Sequence, residues 1–477
     1  MEEKKAEKSL IIVSVPFTRN ARNFISSKIY ESMKSKYDVL IVSPLADQYN
    51  FQQEFGGPNV SFMCFKKDAS QLRPVVRKLY SLSEKLRRYG YYFRFRHKGL
   101  QNYWTLVKEG YFEPLVSNNR VLKHRLLSFI LGFLGYFGMV WKLIDIIFVN
   151  YFYNTRSILK YTHSYQKVIL IQTASWGYQE RFLAGCALKY GYKSIFVPFT
   201  TDQILIGGYL INCFDKICPQ GPIEEEFAVK YHGYSPKKIL RLGMLWLRNI
   251  DSIFSAKILN PQRKTESQKV ILYAGLSSTY FPRASEFIAI DNILRAIREG
   301  ILPKSRLIYR PVCTNDNELI EIENRYKSND LVELQYPSFS IIGVSQFLTA
   351  NIKQDVIEYL NGIYSIDLLI MSKLTSMFLD AAYFKIPCIA NYADGDVSPQ
   401  KQSLLRSRVS DGDVCEVFCL GMPKVFTFSE LLQTIKEVLS SPEKPIQAGE
   451  RILLRWDYKN SNYINDFMNS LEVLTGG

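Results

Sequence analysis

A chain of 477 residues exceeds what one ordinary hydrophobic core organises, so two domains of roughly 200 residues each are expected. Hydrophobic residues at 47% against 22% charged exclude wholesale disorder, and 31 Tyr with 30 Phe suggest wet-edged clefts or a membrane boundary. The net charge of +15 is concentrated, since residues 66–125 hold 15 Lys/Arg against 4 Asp/Glu and so form a basic patch.

Ser9 to Val15 reads as a β-branched strand. A loop from Pro16 to Asn23 follows, carrying Arg19 and Arg22, then an amphipathic helix to about Lys36 and a strand from Val39 to Val42. This is a βαβ opening. Within the basic patch, Tyr89 to His97 interleaves aromatics with arginines, and Leu126 to Trp141 is an uninterrupted run without charge. Lys142 and Asp145 then break an apolar continuation to Val149. As one helix the uncharged run spans ~24 Å, short of the ~30 Å hydrocarbon core of a bilayer. Three readings stay open: a segment lying in an anionic membrane surface, which is preferred, a buried core helix, and a span lengthened by a snorkelling Lys142. Nucleic acid ranks lower as a partner, because no recognition-helix, zinc-finger or RNP signature accompanies the charge.

The sheet resumes at Lys167 to Gln172, followed by a helix from Glu180 to Tyr190 and a strand from Ser194 to Val197. Residues 256–268 turn polar around Pro261 and read as a linker, closing a first domain at 1–255 that contains an insertion at 66–153. A second series occupies 269–445. It opens with a strand from Lys269 to Ala274, a small-residue turn with Gly275, Ser277, Ser278 and Thr279, a helix from Phe287 to Glu299, and a strand from Arg306 to Tyr309 that ends in Arg310-Pro311. After a helical stretch at Ile352 to Asn361, the short run Leu368 to Met371 reads as a buried parallel strand. Thr375 and Ser376 then fall at a helix start, where free N–H groups and the helix dipole favour an anion. An ordinary Ser/Thr cap is the competing reading. Asp380 lies one turn further on, Asp394 sits in a loop after the next strand, and residues 446–477 are expected to pack back across both domains.

Eight cysteines are scattered without a C-x-x-C pair and look like reduced core residues, and the four histidines lack metal-ligand spacing, so no metal site is expected. The N-terminus runs from Met1-Glu-Glu-Lys-Lys5 into a strand without a long apolar stretch, which favours a cytoplasmic location.

Three segments carry a resemblance. They are Phe199-Thr-Thr-Asp-Gln-Ile204 with Gly207 to Cys218, Tyr231-His-Gly233 and Leu242-Gly243; Thr375 to Asp380 with Lys385-Ile-Pro387; and Asn391-Tyr-Ala-Asp394. Over roughly residues 165–400 the chain resembles CDP-glycerol glycerophosphotransferase-like and related bacterial surface-polysaccharide transferases of GT-B fold. The resemblance implies an α/β protein with two Rossmann-like domains facing across a cleft. It implies transfer from a nucleotide-activated sugar to a lipid-linked or surface-glycan acceptor, without an essential metal or other cofactor. The donor pyrophosphate would meet Gly275, Ser277, Ser278, Thr279, Arg310, Thr375 and Ser376, with Asp380 and Asp394 nearby. The general base would come from the first domain, with Asp202 and Glu180 as candidates, although an acid in a first helical turn also simply stabilises the dipole. Arg19 and Arg22 would greet an anionic acceptor. The enzyme would sit peripherally or monotopically at the cytoplasmic face of the inner membrane, held by residues 66–149. One departure is informative: the family's Arg-x-His-Pro motif is here Tyr309-Arg310-Pro311, without the histidine. That disfavours polyol-phosphate transfer against sugar transfer. An inert membrane-docked scaffold remains an alternative, whereas a sugar epimerase of the same architecture has no use for the basic, apolar insertion.

Overall fold

The computed structural model describes residues 9–66, 69–108, 120–200, 202–211, 214–255, 268–278, 281–313, 315–336, 352–393 and 412–476. The chain forms two compact units, one of residues 1–249 with 456–477 and one of residues 250–455. The expected linker at 256–268 lies almost wholly outside the described residues, and the chain passes between units inside the helices Leu245–Ser255 and Glu443–Trp456.

The first unit holds six strands: β1 (Ser9–Ser14), β2 (Asp38–Ser43), β3 (Val60–Cys64), β4 (Lys167–Gln172), β5 (Lys193–Phe196) and β6 (Lys216–Ile217). All pair in parallel, in the order β3-β2-β1-β4-β5-β6. Central strands of a parallel sheet are covered on both faces, which is why β1, β2 and β4 are nearly continuous Ile, Leu and Val. Val13 accordingly sits beside Ile41 and Ile171, all three fully buried. Helix α1 (Lys28–Lys36) follows β1, with the Ser27 side chain accepting from the Tyr30 N–H as its cap. The C-terminal helix Tyr463–Thr475 packs on α1 and β4.

Between β3 and β4 lies the insertion, with α2 (Pro74–Phe95), α3 (Val121–Tyr136) and α4 (Met139–Ile147). The uncharged run expected as one segment is two helices bent by 82°, and Gly138 between them has φ +70°, a left-handed conformation suited to glycine. No single described helix is long and apolar enough to cross a membrane. The basic patch is also only partly a surface. Arg87 is fully buried, bonding Glu84 at 3.0 Å and the Gly207 carbonyl at 3.0 Å. Arg181, on α5 (Tyr178–Tyr190), reaches Glu84 at 3.0 Å and also pairs with Asp145. Burial would raise the Glu84 carboxyl, but these guanidiniums hold it down at about 2. A short helix, α6 (Asp202–Leu205), follows β5.

The second unit repeats the plan with β7 (Lys269–Ala274), β8 (Ser305–Arg310), β9 (Val332–Leu334), β10 (Leu368–Ser372), β11 (Cys388–Asn391) and β12 (Lys424–Val425), ordered β12-β11-β10-β7-β8-β9 and again all parallel. Its helices include α7 (Arg283–Arg298), which starts four residues before the sequence expectation, α8 (Ile352–Tyr364) and α9 (Met377–Tyr383). Both sheets therefore have the doubly wound order 3-2-1-4-5-6, whose switch point lies between the first and fourth strands. Two cysteines depart from expectation: Cys64 and Cys419 are exposed, while Cys186, Cys218, Cys313 and Cys388 are buried.

Candidate functional site

In an open parallel sheet, ligands bind beyond the strand C-termini at the switch point. In the second unit that is where β7 and β10 end. All five residues of β10 are buried, and its end is fastened: Ser372 Oγ and Asn391 Nδ2 each donate to the Tyr273 hydroxyl at 3.0 Å, and the Lys373 N–H donates to the Asn391 carbonyl at 2.8 Å. Lys373 then adopts φ +60° and is 4% exposed, its ammonium 5.7 Å from the Phe281 ring centroid. A left-handed lysine costs about 1–2 kcal/mol, so something holds this cation at the sheet end against its preference.

Two residues later the chain enters α9 with Ser376 as the N-cap. Phe378 and Leu379 N–H groups bond back to the Thr375 and Ser376 carbonyls, and the Ser376 side chain makes no capping hydrogen bond. The Thr375 Oγ1 atom is buried and has no hydrogen-bond partner. A buried hydroxyl left unsatisfied costs about 1–3 kcal/mol, which a ligand oxygen accepting from it would recover. Lys373, which sequence reasoning missed because lysine is not a left-handed residue by habit, completes a strand end able to take an anion.

The remaining donor-side candidates divide. Arg310, at the end of β8, is 9% exposed; it donates to Gln335 Oε1 at 3.0 Å and lies 4.9 Å over the Tyr359 ring. The Tyr359 hydroxyl, on α8, donates to Asp380, which is buried and turned toward that tyrosine. At the turn, a Cβ on Gly275 would sit 2.8 Å from Glu286 Oε2 and 3.2 Å from Pro311 Cα, so a side chain there would displace the Glu286 carboxyl. The Leu276 N–H donates to Glu286 Oε1 at 2.7 Å and Ser278 Oγ to Glu318 Oε1 at 2.5 Å, committing two of the turn's donors to acids. The Ser277 carbonyl accepts from the Phe281 N–H at 3.1 Å. Burial raises the Glu286 carboxyl and the Arg283 guanidinium opposes it; Tyr309 also donates to it at 2.8 Å. Thr279 and Asp394 lie outside the described residues.

In the first unit the switch point is a buried polar network. Asn20 Nδ2 donates to Thr173 Oγ1 at 2.7 Å, and Thr173 Oγ1 to the Ser14 carbonyl at 2.6 Å. Gln179 Nε2 donates to Ser14 Oγ at 2.8 Å and the Val42 carbonyl at 2.9 Å. Ser14 Oγ and Gln172 Nε2 donate to the two Glu180 carboxyl oxygens at 2.6 and 2.7 Å. Sequence placed Glu180 at an accessible helix start. The structure buries it completely, and burial pushes its carboxyl up to about 8 despite those two hydrogen bonds. Its hydrogen bonds from Ser14 and Gln172 tie this carboxyl to the ends of β1 and β4.

Asp202, at the start of α6, is half-buried and accepts from the Thr200 hydroxyl. Arg19 is exposed, whereas Arg22 is pinned, its guanidinium 4.0 Å over the Trp246 ring and its Nε donating to Asn23 at 2.9 Å. Phe17, Trp176 and Phe199, each just past the end of β1, β4 or β5, form an aromatic lip with ring centroids about 6 Å apart (6.0 Å and 6.1 Å to Phe199) that the sequence did not single out. Among the histidines, His232 is half-buried, stacked 5.1 Å from Tyr91, and desolvation pushes it down to about 4.

No protein-family model and no curated protein sequence matches the chain. Solved structures do match. That of S. aureus MnaA with UDP aligns over 99% of this chain and 97% of that one, with TM-score 0.54 at 11% identity. The fold is of the GT-B type. Weaker similarities include the wall teichoic acid polymerase TagF (TM-score 0.46, 11% identity, 99% of this chain and 90% of that chain) and the lipopolysaccharide outer core galactosyltransferase WaaB (TM-score 0.41, 10% identity, 98% and 99%).

Proposed function

We propose that this protein is a glycosyltransferase that moves a sugar from a nucleotide-activated donor to a lipid-linked or surface-glycan acceptor at the cytoplasmic face of a membrane. The observation that carries the reading is the end of β10, where a buried left-handed Lys373 and the unpartnered Thr375 hydroxyl precede a helix start at the switch point. These groups and Ser376 hold the donor pyrophosphate, and Arg310 reinforces the same sheet edge. The acceptor oxygen forms a bond to the anomeric carbon, the bond from that carbon to the diphosphate breaks, and the nucleoside diphosphate departs. The acceptor's proton passes to Asp202, the half-buried carboxylate at the mouth of the first sheet, and Arg19 and Arg22 receive an anionic acceptor. Fixed cations and amides stabilise the leaving group, so no essential metal is required. The co-crystallised UDP of the MnaA structure supports a nucleotide donor for a chain of this fold.

The test is calorimetric unfolding with UDP, CDP, CMP, GDP and dTDP. Ligand at ~100 times its dissociation constant adds ~2.7 kcal/mol to the unit that binds it. A selective response, lost in Thr375→Ala/Ser376→Ala, supports the donor site and identifies the base. Indifference to every nucleotide refutes it.

A further inference from the structure

Helix α3 is inside out. The residues it buries are Ser128, Leu131, Gly132 and Gly135, three of them small, while Leu126, Leu127, Phe129, Ile130, Phe133 and Leu134 are exposed. A soluble helix puts its bulky apolar side chains inward. Here the small stripe instead allows backbone contact with α2: a Cβ on Gly135 would lie 2.0 Å from the Leu86 carbonyl oxygen, and one on Gly90 would lie 2.3 Å from the Gly135 carbonyl carbon. Small residues at the helix contact with large apolar ones outside is how helices pack when their surroundings are hydrocarbon.

The exposed face continues around the 82° bend. Phe137 and Met139, flanking Gly138, are 57% and 74% exposed and form the tip, and Leu143, Ile146 and Ile147 extend the surface along α4. The acid of α4, Asp145, is turned inward to Arg181 and to Ser83 Oγ at 3.0 Å, so it does not interrupt the apolar face. The exposed cations Arg120, Lys123 and Arg125 stand away from the tip at the start of α3, whereas Lys142 lies in the first turn of α4, its ammonium 5.7 Å from the Trp141 ring centroid on a stem long enough to snorkel. From Leu126 to the bend, eleven residues rise about 16 Å, close to the ~15 Å of one leaflet.

We propose that α3 and α4 form a re-entrant hairpin whose bend enters one leaflet of an anionic bilayer, with the cations at the base of α3 at the headgroups. The hairpin neither crosses the membrane nor lies flat on it. This deepens the membrane-facing part of the function proposed above and rests on it; nucleotide binding by the second unit stands if the hairpin fails. Bilayer is favoured over a second copy of the chain because apolar side chains surround a protruding bend, whose base carries the charge that attracts anionic lipid.

The experiment is flotation of the full chain with phosphatidylcholine vesicles, with and without phosphatidylglycerol, followed by salt and carbonate washes. Phe133→Ser/Phe137→Ser/Met139→Ser changes exposed side chains only, and tryptophan fluorescence checks that it folds. The expected result is binding that needs phosphatidylglycerol for capture, survives both washes, and falls ~100-fold in the triple variant. In a second measurement, Phe137→Trp is quenched more by lipids brominated near the tail end than by those brominated near the headgroup. Release by salt alone, quenching confined to the headgroup, protease access to the bend from inside sealed vesicles, or self-association that replaces lipid binding would each overturn the hairpin. Retained nucleotide response in the same preparation separates that failure from failure of the transferase reading.

Discussion

Glu180→Gln tests the buried carboxyl at the first switch point. In the folded chain its carboxyl is held at about 8, against an ordinary value of 4.5, because burial outweighs the hydrogen bonds from Ser14 and Gln172. Between those two pH values the folded chain keeps a proton that the unfolded chain has lost. The resulting stabilisation is fully present below pH 4.5 and disappears as pH rises through about 8. At 1.36 kcal/mol per pH unit, the loss across that window is about 4–5 kcal/mol. Glutamine keeps the shape but does not titrate, and its altered hydrogen bonding costs a constant ~1 kcal/mol. Urea unfolding followed by tryptophan fluorescence reads the correct unit, because all five tryptophans, at 104, 141, 176, 246 and 456, lie in the first unit. Wild type exceeds the variant at low pH, the difference shrinks steadily above pH 4.5, and the order reverses before pH 8. Other raised carboxyls, Glu224 among them, are common to both proteins and cancel. Parallel stability curves from pH 4.5 to 8 would show that Glu180 is ionised in the fold and refute the raised carboxyl.

Gly135→Ala gains about 1 kcal/mol in helix propensity but drives a Cβ into the Leu86 carbonyl, 2.0 Å away with backbone on both sides; a net loss of ~1–3 kcal/mol is expected by urea unfolding, and an unchanged or higher midpoint would refute the close packing of α2 on α3. Lys373→Gly relieves a left-handed side chain worth about 1 kcal/mol while removing the cation, so calorimetry should show undiminished stability of the second unit together with a nucleotide response weakened ~10-fold or more. Lower stability with an intact nucleotide response would show that the lysine serves the fold.

The central strands were legible because each is a short β-branched run buried on both faces, a pattern that needs no partner to be recognised. The switch point at β10 was legible for the same reason, with a bounded strand leading into hydroxyls and a helix. Helix α2 was not, since its buried face includes Arg87 and Gly90 and so reads as basic surface rather than as an amphipathic stripe. The bend at Gly138 was hidden too, because a run apolar all round has no periodicity to interrupt. Only the packing of Gly135 on Gly90 shows which side faces in.

The two switch points show where local sequence runs out, because each ends in a buried glutamate from a neighbouring helix and the sequence singled out only Glu180. Glu180 reaches Ser14, which is 166 positions away in the chain, and both it and Gln172, its other hydrogen-bond donor, are uncharged, so burial dominates and raises the carboxyl. Glu286 meets the Arg283 guanidinium three residues before it, which opposes the same burial penalty, and it braces the Gly275 turn by accepting from the Leu276 N–H. An acid at a helix start therefore carries no fixed role. Whether it is a base, a brace or half of an ion pair depends on long-range partners, which is why Glu180 is tied to β1 and β4 and Glu286 to Arg283, while Asp202, half-exposed at its helix start, accepts from the nearby Thr200 hydroxyl.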